Sequence, residues 1–105
     1  MATKKMGILL STPPENNNQA TVIGLANEAV RQGIETYLYL IDDGVYYLGR
    51  PETDALVKAG TRLFVCAHGA SQRGIPLNTL QNATFGGLVS LSNLIKGCDR
   101  FISFN

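Results

Sequence analysis

Cys66 closes the apolar run Leu63-Phe64-Val65 and opens the segment Ala67-His68-Gly69-Ala70-Ser71. A thiol and an imidazole therefore lie two residues apart where a strand gives way to a helix. A helix N-terminus stabilises an anion, and the thiolate is the form of cysteine that attacks sulfur or binds metal. His68 could donate a proton or pair with the thiolate, or be a solvated turn residue. Arg73 either holds an anion or caps the last carbonyls of the helix. Cys66 itself has a structural reading too, because free cysteine is among the most buried residue types and packs as a small apolar group. Spacing alone leaves these pairs of readings open.

The remaining candidates are weaker. Cys98, in Lys96-Gly97-Cys98-Asp99, falls in a turn before the last strand, at the far end of the sheet from Cys66, so no internal disulfide is expected. Two separated cysteines and one histidine leave too few soft ligands for a structural zinc site, and neither metal nor cofactor is expected. Asp42 and Asp43 are neighbours whose side chains point apart, which suits turn formers better than a shared-proton pair. Tyr46 and Tyr47 could wall a pocket or line a subunit contact. Gly86-Gly87 is not a phosphate loop, and neither Gly-x-x-x-x-Gly-Lys nor Gly-x-Gly-x-x-Gly occurs, so dinucleotide binding lacks support. Hydrolysis by a Ser-His-Asp set would have to use His68 as its base. The sequon Asn82-Ala83-Thr84 is accidental in a chain without a signal peptide.

The elements that must position these residues alternate in type. Met6 to Leu10 is a buried strand, ended by Ser11-Thr12-Pro13-Pro14. Val22, Leu25, Ala26, Ala29 and Val30 form the stripe of an amphipathic helix, with Asn18 as its cap and Gly33 as its stop. Ile34 to Ile41 is the second strand, stopped at Asp42-Asp43-Gly44. A helix follows from Pro51 to Gly60, then a strand over Arg62 to Cys66 and a brief helix over Ala67 to Arg73. A short strand at Ala83-Thr84-Phe85, a helix through Leu88, Leu91, Leu94 and Ile95, and a last strand from Arg100 to Phe104 complete the chain. Connections of this kind make right-handed βαβ crossovers, hence a three-layer α/β/α domain over residues 1–105 with a mostly parallel sheet of four to five strands. Sites in such sheets gather at the carboxyl ends of the strands. Three segments are expected to meet there: Ser11 to Gln19 with Ser11 and Thr12 at its start, Asp42 to Tyr47 with Tyr46, and Cys66 to Arg73.

Charged residues are 16% of the 105, against about 25% on average, while hydrophobic residues are 45%. That balance suits a subunit burying surface in an oligomer. A net charge of +1 with no basic cluster beyond Lys4-Lys5 makes nucleic acid an unsuitable partner. No apolar run approaches the ~20 residues that span a bilayer, and a cytoplasmic, reduced protein with no membrane partner is expected.

With Cys66 in view, nearly the whole chain resembles the DsrE/DsrF family of small, TusD-related sulfur-relay proteins. The likeness rests on the opening strand Lys5 to Leu10, on Cys66 placed eight residues before Gly74, on Ala83-Thr84-Phe85-Gly86-Gly87-Leu88, and on Asp99 to Phe104. The resemblance implies a persulfide carrier: Cys66 matches the cysteine that accepts sulfane sulfur, with His68, Ser71 and the amides of Gly69 and Ala70 stabilising the sulfur anion. It also implies homo-oligomers, trimers or hexamers, or hetero-oligomers with related subunits, along with sulfur donor and acceptor proteins. Many relatives carry a second cysteine three residues on, where this chain has Gly69, so a two-thiol mechanism within the loop is excluded. The alternative is an oligomeric small-ligand or protein-binding module of the same fold, with Cys66 inert.

Overall fold

The structure, a computed structural model, describes residues 3–76 and 83–105. In chain order the elements are β1 (Lys5–Leu10), α1 (Asn18–Arg31), β2 (Glu35–Leu40), a 3-10 helix (Asp42–Tyr47), α2 (Pro51–Ala59), β3 (Arg62–Cys66), α3 (Ala67–Gln72), β4 (Ala83–Gly86), α4 (Leu88–Gly97) and β5 (Arg100–Phe104). The sequon's Asn82 lies outside the described residues.

The five strands form one parallel sheet in the order β4-β3-β2-β1-β5. The α/β fold and parallel sheet expected from the sequence are what is found. The strand order explains how the helices are distributed. From β1 to β4 the chain steps one way across the sheet, and right-handed crossovers place α1, α2 and α3 on one face. The step from β4 back to β5 runs the other way, so the same handedness puts α4 on the opposite face.

Two cores follow from this. Ile8, Leu10, Leu38, Leu40, Leu63 and Val65 meet Val22 and Ala26 of α1, Leu56 of α2 and Ala70 of α3. On the other face Tyr37, Tyr39 and Leu94 form a smaller cluster, flanked by Leu9, Phe64, Cys66, Leu91, Cys98 and Phe101. One ten-residue helix is all that covers this side among the described residues. Leu88 and Val89 remain 78% and 76% exposed, and Ile95 and Ile102 are also exposed.

Local signals account for most boundaries. Gly33, at φ +79°, takes the left-handed conformation that ends α1. The cap of α1 differs from the expected Asn18: Asn17 is the cap position, and the Asn16 side-chain oxygen accepts the Asn18 amide at 3.0 Å. With Asn18 inside the helix, its side chain is free to reach Thr12 instead. The Asp42-Asp43-Gly44 turn is longer than its residues suggest, continuing as a 3-10 helix to Tyr47. Among the described residues no helix is long and apolar enough to cross a membrane.

Candidate functional site

Side chains alternate along β3, so Leu63 and Val65 enter the larger core while Phe64 and Cys66 turn toward α4. At Cys66 the backbone is still extended, with φ −67° and ψ 112°, and the next residue is helical. Cys66 is therefore the N-cap of α3. Its Sγ accepts the backbone amide of Gly69 at 3.4 Å, one of the donors that a helix start leaves without an internal partner. Sulfur fills the place that a serine or aspartate oxygen takes in most caps.

The half-buried Cys66 opens onto a cleft of about 310 Å³, at the small end of the range, about 300–1,000 Å³, for small-ligand pockets. Three pieces of chain enclose it. Cys66, His68, Gly69 and Gln72 come from the β3–α3 junction, Ile41 and Asp42 from the end of β2, and Gly87 and Leu88 from the start of α4. The Cys66–Gly86 register of β3 and β4 brings that last piece alongside the thiol. Asp42 holds φ +52°, unusual for a residue other than glycine, at the rim of this cleft.

The structure thus brings Cys66, His68 and Gly69 together. His68 is exposed at the mouth. Ala70 is on the same helix, but its methyl is buried in the opposite core. Ser71 is exposed and does not line the cleft. Arg73 donates to the Asp43 carboxylate at 3.0 Å and to the Gly69 carbonyl at 3.3 Å, so it ties α3 to the 3-10 helix and caps α3 as one of its two expected roles. Ser11 and Thr12 lie elsewhere. Ser11 donates to the Phe104 carbonyl and the Asn105 side chain, and Thr12 accepts from Asn18, because β1 sits two strands from β3. Tyr46 is exposed and does not line the cleft either.

Sequence reasoning missed the α4 side of the cleft. Gly86-Gly87 reads as an empty non-motif, yet it forms the turn that delivers the far wall. A Cβ at Gly86 would stand 2.5 Å from the Ser90 hydroxyl, so α4 can start this close to β4 because position 86 has no side chain. A second polar atom was equally hidden in a strand: the Tyr39 hydroxyl donates to the Gly87 carbonyl at 3.2 Å. Burial, and then the charge of the neighbouring Cys66, push the Tyr39 phenol above its ordinary range.

Cys98 differs in setting. It packs at the opposite end of the sheet, over Gly7, beside another cleft of about 310 Å³ that includes Lys5, Tyr37, Phe64 and Leu94. Burial pushes its thiol up, which makes less thiolate available at neutral pH. Both cysteines are free. Among the described residues no group of three or more His, Cys, Asp and Glu side chains gathers to hold a metal.

The DsrE/DsrF-like family model matches residues 4–104. No curated protein matches the sequence. Among solved structures, the ychN protein from E. coli is similar at TM-score 0.81 and 19% identity, covering 98% of this chain and all of that one. A conserved protein of unknown function from Bacteroides thetaiotaomicron is similar at TM-score 0.76 and 14% identity, covering 96% of this chain and 95% of that one. At these identities the likeness speaks for the fold.

Proposed function

The chain belongs to the DsrE/DsrF-like family, and on that premise we propose that it is a sulfur carrier, a sulfurtransferase subunit that accepts sulfane sulfur on Cys66 and passes it to a partner. One arrangement carries the reading: Cys66 Sγ, at a strand end, accepts the Gly69 amide while facing an open cleft. The thiol is thus reachable, and its negative form has a donor already in place.

The transfer needs no electrons from outside. Cys66 thiolate attacks the outer sulfur of a donor persulfide, the donor's S–S bond breaks, and the donor leaves as thiolate, giving Cys66–S–SH. An acceptor thiolate then attacks that outer sulfur, takes it as a new persulfide and releases Cys66 thiolate. In this reading His68, exposed beside the cleft, exchanges the proton with solvent. Neither step calls for a metal or an organic cofactor.

The exposed apolar residues Leu88, Val89, Ile95 and Ile102 support a homo- or hetero-oligomer in which α4 meets another subunit. A reducing compartment such as the cytoplasm would keep Cys66 in its working thiol form.

Incubating reduced protein with a persulfide donor or polysulfide and weighing it intact tests the reading. A gain of about 32 Da, one sulfur atom, localised to Cys66 is expected. Protein that stays unmodified under several donors overturns it.

A further inference from the structure

We infer that Tyr39 is a positioning residue whose hydroxyl fastens the Gly87 end of α4 as the far wall of the Cys66 cleft, and so sets how large a group reaches the thiol. The inference rests on Cys66 being the reactive thiol, as proposed above.

Tyr39 is 1% exposed, near the end of β2, and lies beside Leu9 and Phe64 in the register of the sheet. Its ring is on the face that carries Cys66. Packing there would be served equally well by phenylalanine, and burying a hydroxyl costs free energy that pairing offsets. Tyr47 buries its hydroxyl without a hydrogen bond among the described residues. The Tyr39 hydroxyl, by contrast, is paired across 48 residues, to the Gly87 carbonyl at 3.2 Å. That carbonyl also accepts the Leu91 amide at 3.1 Å, the first internal bond of α4. One oxygen therefore both starts the helix and moors it to the sheet. No side chain caps the first amides of α4, and the Tyr39 bond goes instead to the carbonyl at that end, holding the turn without capping the helix.

The consequence falls on the cleft. Gly87 and Leu88 form its wall opposite α3, and both move with the Gly87 carbonyl. A Cβ at Gly87 would meet nothing within 4 Å, so the turn has open space on that side. Among the described residues the α4 terminus is also tied through Gly86, which pairs with Cys66 in the sheet, and through Leu91 and Leu94 in the smaller core, and the Tyr39 hydroxyl adds a side-chain hydrogen bond at Gly87 itself.

The test uses the Cys98→Ser protein, in which one thiol reports. Cys66 is modified in the native protein with a small reagent, iodoacetamide, and a bulky one, 5,5′-dithiobis(2-nitrobenzoate), and the rates are compared as a ratio. Tyr39→Phe is expected to raise the bulky-to-small ratio about threefold or more, the scale of one neutral hydrogen bond. Thr36→Val removes another buried hydroxyl, one that donates to the Ile34 carbonyl away from the cleft, and is expected to leave the ratio unchanged. Leu88→Ala, on an exposed part of the same wall, is expected to raise the ratio as Tyr39→Phe does. An unchanged ratio in folded Tyr39→Phe overturns the inference, as does an equal change in Thr36→Val. A Tyr39→Phe chain that does not fold also overturns it, since the bond would then be structural. Because alkylation needs no sulfur donor, a Cys66 that alkylates but never takes sulfur defeats the relay reading and leaves this one standing.

Discussion

Gly44 passes so close to β1 that a Cβ on it would stand 2.0 Å from the Leu10 carbonyl oxygen. This approach lets the 3-10 helix tuck against the carboxyl end of the sheet and keeps Asp42 at the rim of the Cys66 cleft. The obstacle is backbone, which cannot swing aside as a side-chain tip can. Gly44→Ala is expected to lose about 3 kcal/mol or more of stability, at the upper end of overpacking costs, in urea denaturation. A loss below about 1 kcal/mol would mean the approach is looser than this.

The two cysteines should separate cleanly. Cys66→Ser is expected to abolish the gain of one sulfur under a persulfide donor, while Cys98→Ser leaves it intact. Intact mass followed by peptide mapping reads both. Sulfur that persists in Cys66→Ser would move the chemistry to Cys98 and its own cleft.

Cys98 also carries a pH signature. Burial first, then the Asp99 and Glu35 charges, raise its thiol, with Lys5 opposing. A group that holds its proton more tightly when folded adds no penalty below its unfolded value and costs stability as pH climbs through the folded one. Thermal stability should therefore decline above the ordinary thiol range, and Cys98→Ser should flatten that decline. Native Cys98 should also alkylate more slowly than the unfolded chain at pH 8. Equal slopes in the two proteins would remove the effect.

The exposed end of α4 predicts an assembly. Val89 is 76% exposed in the single chain, so Val89→Asp should leave the subunit folded while shifting its mass toward the monomer in light scattering. An unchanged oligomer, or a wild-type monomer at all concentrations, would remove α4 from the contact.

Arg73 predicts a small number. Its ion pair with Asp43 is partly exposed, so Arg73→Ala should cost under about 1 kcal/mol, less in high salt. A larger loss would point to its bond with the Gly69 carbonyl, beside the cap of Cys66, as the dominant contact.

Much of this molecule is legible from one line of letters. Apolar runs with period two or 3.6, punctuated by Gly33, Gly60 and the Pro13-Pro14 and Asp42-Asp43 stops, are local signals, and they mark the five strands and four helices to within a residue or two. The end of β3 at Cys66 belongs to that local part, and so does the small-residue run that lets a helix begin at once. Which face Cys66 looks toward does not. That depends on strand order and on the direction of each crossover, which put α1 to α3 on one side and leave α4 alone on the other. For the same reason Ser11 and Thr12, at the same edge of the sheet, serve β5 and α1 rather than the thiol. Tyr39 and Gly87 are 48 residues apart, and it is the parallel pairing of β2 with β3 and of β3 with β4 that makes them neighbours.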